Sequence, residues 1–262
     1  MEHLNTDKIK ENLGESLFSD NIIIHKSIAS TNSTAKELYK LGASDGTVVL
    51  AEEQTSGRGR MDRQWLSPSY KNILISILLK PQIKVEYIYS LTLALAVSGV
   101  DAVKKITGLS CMIKWPNDIY LNKKKLAGIL TEFSVRRKMP AYVVLGMGMN
   151  VNWNPEEEKN ILFPSTSIYN EAGKETSRNL LLGEILRNFE NFYNDIKCER
   201  MEEFHNRCNR LSLLTGTTVS VDTGEEIIKG KASGIDKDGG LILEGLDGDI
   251  KKILNGDVSI SF

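Results

Sequence analysis

The sequence has only three cysteines, Cys111, Cys198 and Cys208, and only three histidines, His3, His25 and His205. The cysteines are odd in number, widely spaced and never set as C-x-x-C, which argues against a disulfide framework and against a zinc site. Three scattered histidines leave imidazole-based metal chemistry short of ligands, so all six residues read as core or surface filler. An excess of one charge is also missing. Lys and Arg total 33 against 34 Asp and Glu, a formal net charge of −1, which excludes nonspecific nucleic-acid binding through a global basic surface and makes any basic site local. No apolar run approaches the length of a bilayer span, and the densest, Ile73 to Leu79, is already broken by Ser76. Residues 1–20 mix acids and bases with no apolar h-region, so they read as a short polar helix or tail and not as a secretory signal. They are too few for a helix-turn-helix module, so DNA binding is not expected, and a cytoplasmic location follows by default.

What is present is an ordinary globular composition, 41% hydrophobic and 26% charged over 262 residues, enough for a substantial core. Ile22 to His25 reads as a strand. A helical pattern follows with Ala35, Leu38 and Leu41 on one face, Thr34 and Glu37 at capping-box spacing and Gly42 at its end. Strands are expected at Thr47 to Ala51 and Asn72 to Leu79, then a largely covered helix at Tyr87 to Ile106. Four more are expected at Cys111 to Trp115, Ile119 to Leu121, Leu126 to Phe133 and Tyr142 to Val151, the middle two joined through Asn122-Lys123-Lys124. After Ser177, apolar residues from Leu182 to Ile196 keep helical spacing to about residue 205.

Beyond Leu213 the composition changes. Nine of the 21 glycines fall between Gly216 and Gly256, and turn signals recur among short strands at Thr217 to Val221, Leu241 to Leu243 and Val258 to Phe262. That is the pattern of a small all-β barrel. The expected organisation is an N-terminal helix or tail over 1–20, a strand-rich α+β domain over 21–212 and a barrel over 213–262.

Three segments carry the chemistry. Gln54-Thr55-Ser56-Gly57-Arg58-Gly59-Arg60-Met61-Asp62-Arg63-Gln64-Trp65 follows a strand and can wrap an anion. Glycines permit close backbone approach, arginines supply fixed charge and forked donors, and Trp65 offers a stacking face. It fits neither a P-loop nor a dinucleotide fingerprint. Lys114-Trp115-Pro116-Asn117-Asp118 presents polar groups on a rigid turn at a strand end, and Lys125 enters the apolar Leu126-Ala127-Gly128-Ile129-Leu130, with Glu132 beyond. Gly146-Met147-Gly148-Met149-Asn150 thins one face of a strand, with Asn150 as a polar floor. Each segment has a plainer reading, as a solvated loop, a turn lysine or a bulge. Together they point to an anionic, nucleotide-containing ligand and leave the reaction open.

In order and spacing these segments, preceded by Ser30-Thr31-Asn32 and followed by Gly256-Asp257-Val258-Ser259, resemble the biotin protein ligase family over roughly residues 22–262. The resemblance implies a mixed β-sheet with flanking helices, like class II aminoacyl-tRNA synthetases and biotin synthetases, plus a C-terminal SH3-like barrel. It implies an ATP-dependent ligase that makes biotinyl-AMP with Mg²⁺ and transfers biotin to a lysine of a biotin carboxyl carrier protein or carboxylase carrier domain. Lacking a winged helix, the chain looks monofunctional, or like the part of a longer protein that begins in the linker after such a domain. The resemblance implies biotin contacts for Ser30, Thr31, Asn32, Gln54, Arg58, Gly59, Arg60 and Lys125, and nucleotide contacts for Arg58, Arg60, Arg63, Trp65, Lys114, Asn117 and Asn150. Arg60, Lys125 and Asp118 would be catalytic, Mg²⁺ would arrive with ATP and not in a fixed site, and neither DNA nor a membrane would be a partner. A homodimer through the central sheet is allowed. Met61 and Asp62 depart from the basic residue and glycine usual in the family's arginine loop. A lipoate or octanoate ligase of the same superfamily is the nearest rival, disfavoured by the intact arginine loop. A noncatalytic regulator and a pure scaffold rank below it.

Overall fold

The structure, a computed structural model, describes residues 2–61, 63–158, 163–245 and 248–260. Its frame is a seven-stranded mixed sheet of β1 (Ile22–His25), β2 (Thr47–Ala51), β3 (Ile73–Leu79), β4 (Met112–Lys114), β5 (Asp118–Leu121), β6 (Lys124–Arg136) and β7 (Met139–Met149), in the order β1-β2-β3-β7-β6-β5-β4. Only β1 and β2 run parallel; every other neighbour pair is antiparallel.

Strand alternation gives the sheet two unlike faces. Ile73, Ile75, Ile77 and Leu79 join the main core with α3 (Ile88–Thr107) and α5 (Arg178–Lys197). The opposite face carries Leu74, Ser76 and Leu78, with Gly148, Gly146 and Val144 across on β7 and Gly128, Leu130 and Glu132 beyond on β6. Helix α2 (Thr31–Lys40) covers only part of it, through Ala35, Leu38 and Tyr39 over Val49, Leu78 and Val144. The uncovered rows hold the site.

Among the described residues, one helical segment, Val85–Thr107, is long and apolar enough to cross a bilayer, and 78% of its most apolar window is buried inside the protein. Its apolarity is used against α5 and the sheet, and Gly108 ends it in the left-handed conformation at φ 78°. Helix α1 (Thr6–Leu13), short and polar as the sequence suggests, buries Ile9 and Leu13 against α5.

Several boundaries differ from the sequence reading. Helix α2 begins at Thr31, with Ser30 as its N-cap and no Thr34 cap, and Leu41 is 83% exposed because the helix has already ended there. The long C-terminal helix is two: α5 stops at Lys197, Glu199 takes φ 55°, and α6 (Glu202–Leu211) starts anew. A short helix, α4 (Ile168–Ala172), also interrupts the connection after β7.

After α6 the chain forms a five-stranded antiparallel sheet from β8 (Thr218–Asp222), β9 (Ile227–Ile235), β10 (Leu241–Glu244), β11 (Ile250–Ile253) and β12 (Asp257–Ile260), in the order β11-β10-β9-β8-β12. Strands β9 and β11 have no counterpart in the sequence reading; the final residues of the last expected strand, Ser261 and Phe262, lie outside the described residues. The fully buried indole of Trp115 donates to the carbonyl of Gly239 at 2.9 Å and so joins the two sheets.

Candidate active site

The uncovered rows floor a cavity of about 380 Å³. Its uncharged side is built from the start of α2. Ser76 Oγ, wholly buried, reaches Thr31 Oγ1 at 2.7 Å and Asn32 Oδ1 at 2.5 Å. Gln54 Oε1 accepts from the Thr31 amide at 2.7 Å and from its hydroxyl at 3.0 Å. Asn32 Nδ2 donates to Leu130 O at 3.2 Å and to Glu132 Oε2 at 2.9 Å. Gly146 makes room for this side chain, since a Cβ there would stand 2.1 Å from Asn32 Oδ1. The paired glycines therefore admit protein side chains as well as thinning the floor.

The other side is cationic and aromatic. Trp65 lies over Gly148 and Gly128, and Lys125 Nζ sits 5.9 Å from its ring. Lys125 Nζ also pairs with Asp118 Oδ1 at 2.7 Å. Asn150 is buried, its Nδ2 donates to Thr166 O at 3.0 Å, and its Oδ1 has no hydrogen-bond partner among the described residues. Trp65 Nε1 and Trp153 Nε1 are likewise buried with no hydrogen-bond partner among the described residues. Buried polar groups are ordinarily satisfied, so this side keeps donor and acceptor capacity for a ligand.

The arginine loop is a tight hairpin. Trp65 N donates to Gly57 O at 3.0 Å and Gly59 N to Arg63 O at 2.6 Å. Gly57 is needed for close approach, because a Cβ there would meet the Trp65 carbonyl at 2.6 Å; neither Gly57 nor Gly59 uses a left-handed backbone. Its three arginines are held apart. Arg58 reaches Ser33 Oγ and Glu132, both at 3.3 Å. Arg60 donates to Asn117 Oδ1 at 3.1 Å, Asn255 Oδ1 at 2.5 Å and Gly256 O at 3.2 Å. Arg63 pairs with Asp257 and lies 5.1 Å from the Phe163 ring centroid. Burial pulls the Arg60 pKa down, opposed by the charges of Asp257 and Asp118. Asp62 lies outside the described residues.

Thirteen of the fourteen residues singled out in the sequence line this one cavity: Ser30, Thr31, Asn32, Gln54, Arg58, Gly59, Arg60, Arg63, Trp65, Asn117, Asp118, Lys125 and Asn150. Lys114 does not. It lies on edge strand β4 with Nζ 5.4 Å from the Tyr120 ring centroid. Burial lowers its pKa, with the charges of Asp118 and Asp257 opposing. Sequence reasoning missed Ser76, whose signal was a lone hydroxyl inside an apolar strand, and Trp153, Phe163 and Asp257, which also line the cavity. Among the described residues no three His, Cys, Asp or Glu side chains cluster as a metal-binding set. Among the described residues the cavity has two carboxylates, Asp118 and Asp257, paired with Lys125 and Arg63.

The family model for the biotin/lipoate A/B protein ligase family matches residues 24–150, and that for the biotin protein ligase C-terminal domain matches residues 215–261. The bifunctional ligase/repressor BirA of Bacillus subtilis is 36% identical over 98% of this chain and 79% of its own length. The biotin--[acetyl-CoA-carboxylase] ligase of Mycobacterium tuberculosis is 31% identical over 83% of this chain and 82% of its own length. The solved biotin protein ligase from Aquifex aeolicus in complex with biotin and ATP superposes with a TM-score of 0.79 at 33% identity, covering 92% of this chain and 98% of that one. The chain belongs to the biotin/lipoate A/B protein ligase family, in its biotin protein ligase branch.

Proposed function

We propose that this protein activates biotin as biotinyl-5′-AMP with ATP and transfers it to one lysine of a biotin carboxyl carrier protein or of the carrier domain of a biotin-dependent carboxylase. The observation that carries the reading is one cavity with a buried hydroxyl and amide cluster on one side and a cationic, aromatic wall on the other. Thr31, Asn32, Gln54 and Ser30 bond the ureido ring of biotin, with Ser76 fixing two of them from below. Trp65 and Asn150 take the adenine, Asn150 through its open carbonyl oxygen.

In the first step the biotin carboxylate attacks the α-phosphorus, the bond to the β-phosphate breaks, and pyrophosphate leaves. Two anions must be brought together, so cations fixed in advance supply most of the benefit. Lys125 stands at the bridging position, and Arg58, Arg60 and Arg63 lie in the loop that closes over the ligand, with Asn117 orienting Arg60. Lys114 acts from outside the cavity through its charge. Closure excludes water, which would otherwise hydrolyse the mixed anhydride. In the second step the carrier lysine amine attacks the acyl carbon and AMP departs; Asp118, already hydrogen-bonding distance from Lys125, orients that amine or takes its proton. With Asp118 and Asp257 paired, Mg²⁺ is assigned to the Mg·ATP substrate, where it screens phosphate charge.

We place the reaction in the cytoplasm, with its ATP and carboxylases. The test is pyrophosphate release from Mg·ATP with biotin, lipoate or octanoate, hydroxylamine being added to turn over trapped adenylate. Biotin-dependent release is expected. Dependence on lipoate or octanoate would move the chain to the sister activity, and silence with all three in a protein that still binds biotin would make it a regulator.

A further inference from the structure

Glu132 lies outside the cavity lining, yet three side chains converge on it. Its Oε2 accepts from Asn32 Nδ2 at 2.9 Å and from Arg58 at 3.3 Å, while its Oε1 accepts from Lys36 Nζ at 2.7 Å. Asn32 and Lys36 stand four residues apart on α2 and so share a face. Glu132 follows Leu130 by two on β6 and so shares its side of the sheet, opposite Val144. The arrangement is built into both elements.

The consequence lies in how one carboxylate sorts its partners. A carboxylate only accepts hydrogen bonds, so it selects the NH₂ end of the Asn32 amide and turns the carbonyl oxygen toward Ser76. The same carboxylate tethers Arg58, the first arginine of the loop. Arg60 and Arg63 are tied at the other end, to Asn255 and Asp257. The loop thus spans the cavity from Glu132 to the C-terminal sheet.

We propose that Glu132 is a positioning residue that couples the orientation of Asn32 to the seating of the arginine loop through Arg58. The inference rests on the biotin ligase reading. It predicts that loss of the carboxylate weakens biotin binding and retention of the intermediate together, with a much smaller effect on the use of ATP, because Glu132 reaches the nucleotide residues only through Arg58 and has no contact with Trp65 or Asn150.

The near-isosteric Glu132→Gln variant tests it, since a neutral amide can present its NH₂ end to Asn32 and Arg58. Three readouts are taken: biotin binding by calorimetry without nucleotide, KM for biotin and for ATP in pyrophosphate release, and the dissociation rate of biotinyl-AMP. The expected result is a rise of roughly tenfold in biotin Kd and KM, a comparable rise in adenylate release, and kcat and the KM for ATP within about twofold, matching the loss of one charge-assisted hydrogen bond. Arg58→Ala and the double variant complete a cycle in which the two changes are not additive for adenylate release. Lys36→Met, which removes only the outer cation, leaves biotin KM unchanged. Unchanged biotin affinity in Glu132→Gln, or strictly additive effects with Arg58→Ala, would overturn the proposal; so would a fall in kcat with both KM values constant, the signature of a smaller folded fraction. Failure of the wild-type protein to release pyrophosphate with biotin would instead overturn the underlying activity, so the two failures are distinguishable.

Discussion

The indole of Trp65 rests directly on Gly148: a Cβ at that position would stand 2.4 Å from Cε2 and 2.5 Å from Nε1. No real contact is that short, so the strand's backbone sets the height of the ring. Gly148→Ala therefore has to lift Trp65, and overpacking of this kind costs about 1–3 kcal/mol. The expected outcome is a KM for ATP raised about tenfold with biotin affinity much less affected, measured by initial rates of pyrophosphate release and by calorimetry with biotin alone. An unchanged KM for ATP would remove Trp65 from the nucleotide site.

Arg60 ties the loop to Asn117 on one side and to Asn255 and Gly256 on the other. Arg60→Gly cuts all of these at once while leaving the strands intact. Adenylate synthesis should continue, and biotinyl-AMP should escape and label bystander lysines. The check is the fraction of intermediate retained on the protein after gel filtration, and equal retention in both proteins would refute the idea.

Arg178 is buried on α5 and donates to Glu52 at 2.6 Å, to Asn72 O at 3.2 Å and to the backbone carbonyl of Glu2. Removing one partner of a buried pair leaves the other charge uncompensated, at a cost of about 3–5 kcal/mol. Arg178→Met should lower Tm by about 10 °C. Calorimetric unfolding of both proteins measures it, and a fall of only a degree or two would mean that Glu52 finds other donors.

Three carboxyls sit below their ordinary values, in each case because hydrogen bonds outweigh the upward push of burial: Glu2 through Ser177 and Asn179, Glu132 through Lys36 and Asn32, and Asp236 through Lys252. Each binds its proton more weakly folded than unfolded. Their stabilisation is therefore complete above the unfolded pKa values of 4.5 for Glu and 3.8 for Asp, and it is lost as pH falls through the lower folded values. Urea midpoints should decline modestly below about pH 6.5, because burial lowers the His205 pKa and the unfolded imidazole takes up its proton first, and then drop more steeply below about pH 5, a drop that Glu132→Gln should flatten in part.

The strands of the central sheet were legible because their apolar runs are bounded by turns, and the cavity residues because several motifs, each with a plainer reading alone, resemble one family in order and spacing. The start of α2 was not. Thr34 offered a capping pattern that local sequence favours, but Thr31 and Asn32 gain Gln54 and Ser76 as partners only across the sheet. Glu132 was invisible as a partner for the same reason, since nothing in sequence links residue 132 to residues 32, 36 and 58. The missed strand β9 alternates exposed Lys229, Lys231 and Ser233 with buried Gly230 and Ala232, inward residues too small to give an apolar signal, and β11 is exposed except at Ile253. The break before α6 carries neither glycine nor proline, and Glu199 takes the left-handed turn itself.

The row formed by Gly128, Gly146 and Gly148 sets a limit on redesign. An engineer wishing to admit a bulkier acid would ordinarily shave a large side chain from the pocket floor, but these strand positions have none left to shave. Enlargement has to come from the side chains lowered onto them, Asn32 and Trp65, which the proposed reaction uses for recognition. Over this glycine row, room for a new acyl group is thus gained only by surrendering grip on the old one or on the nucleotide, which makes retargeting there a problem of replacing contacts and not of carving space.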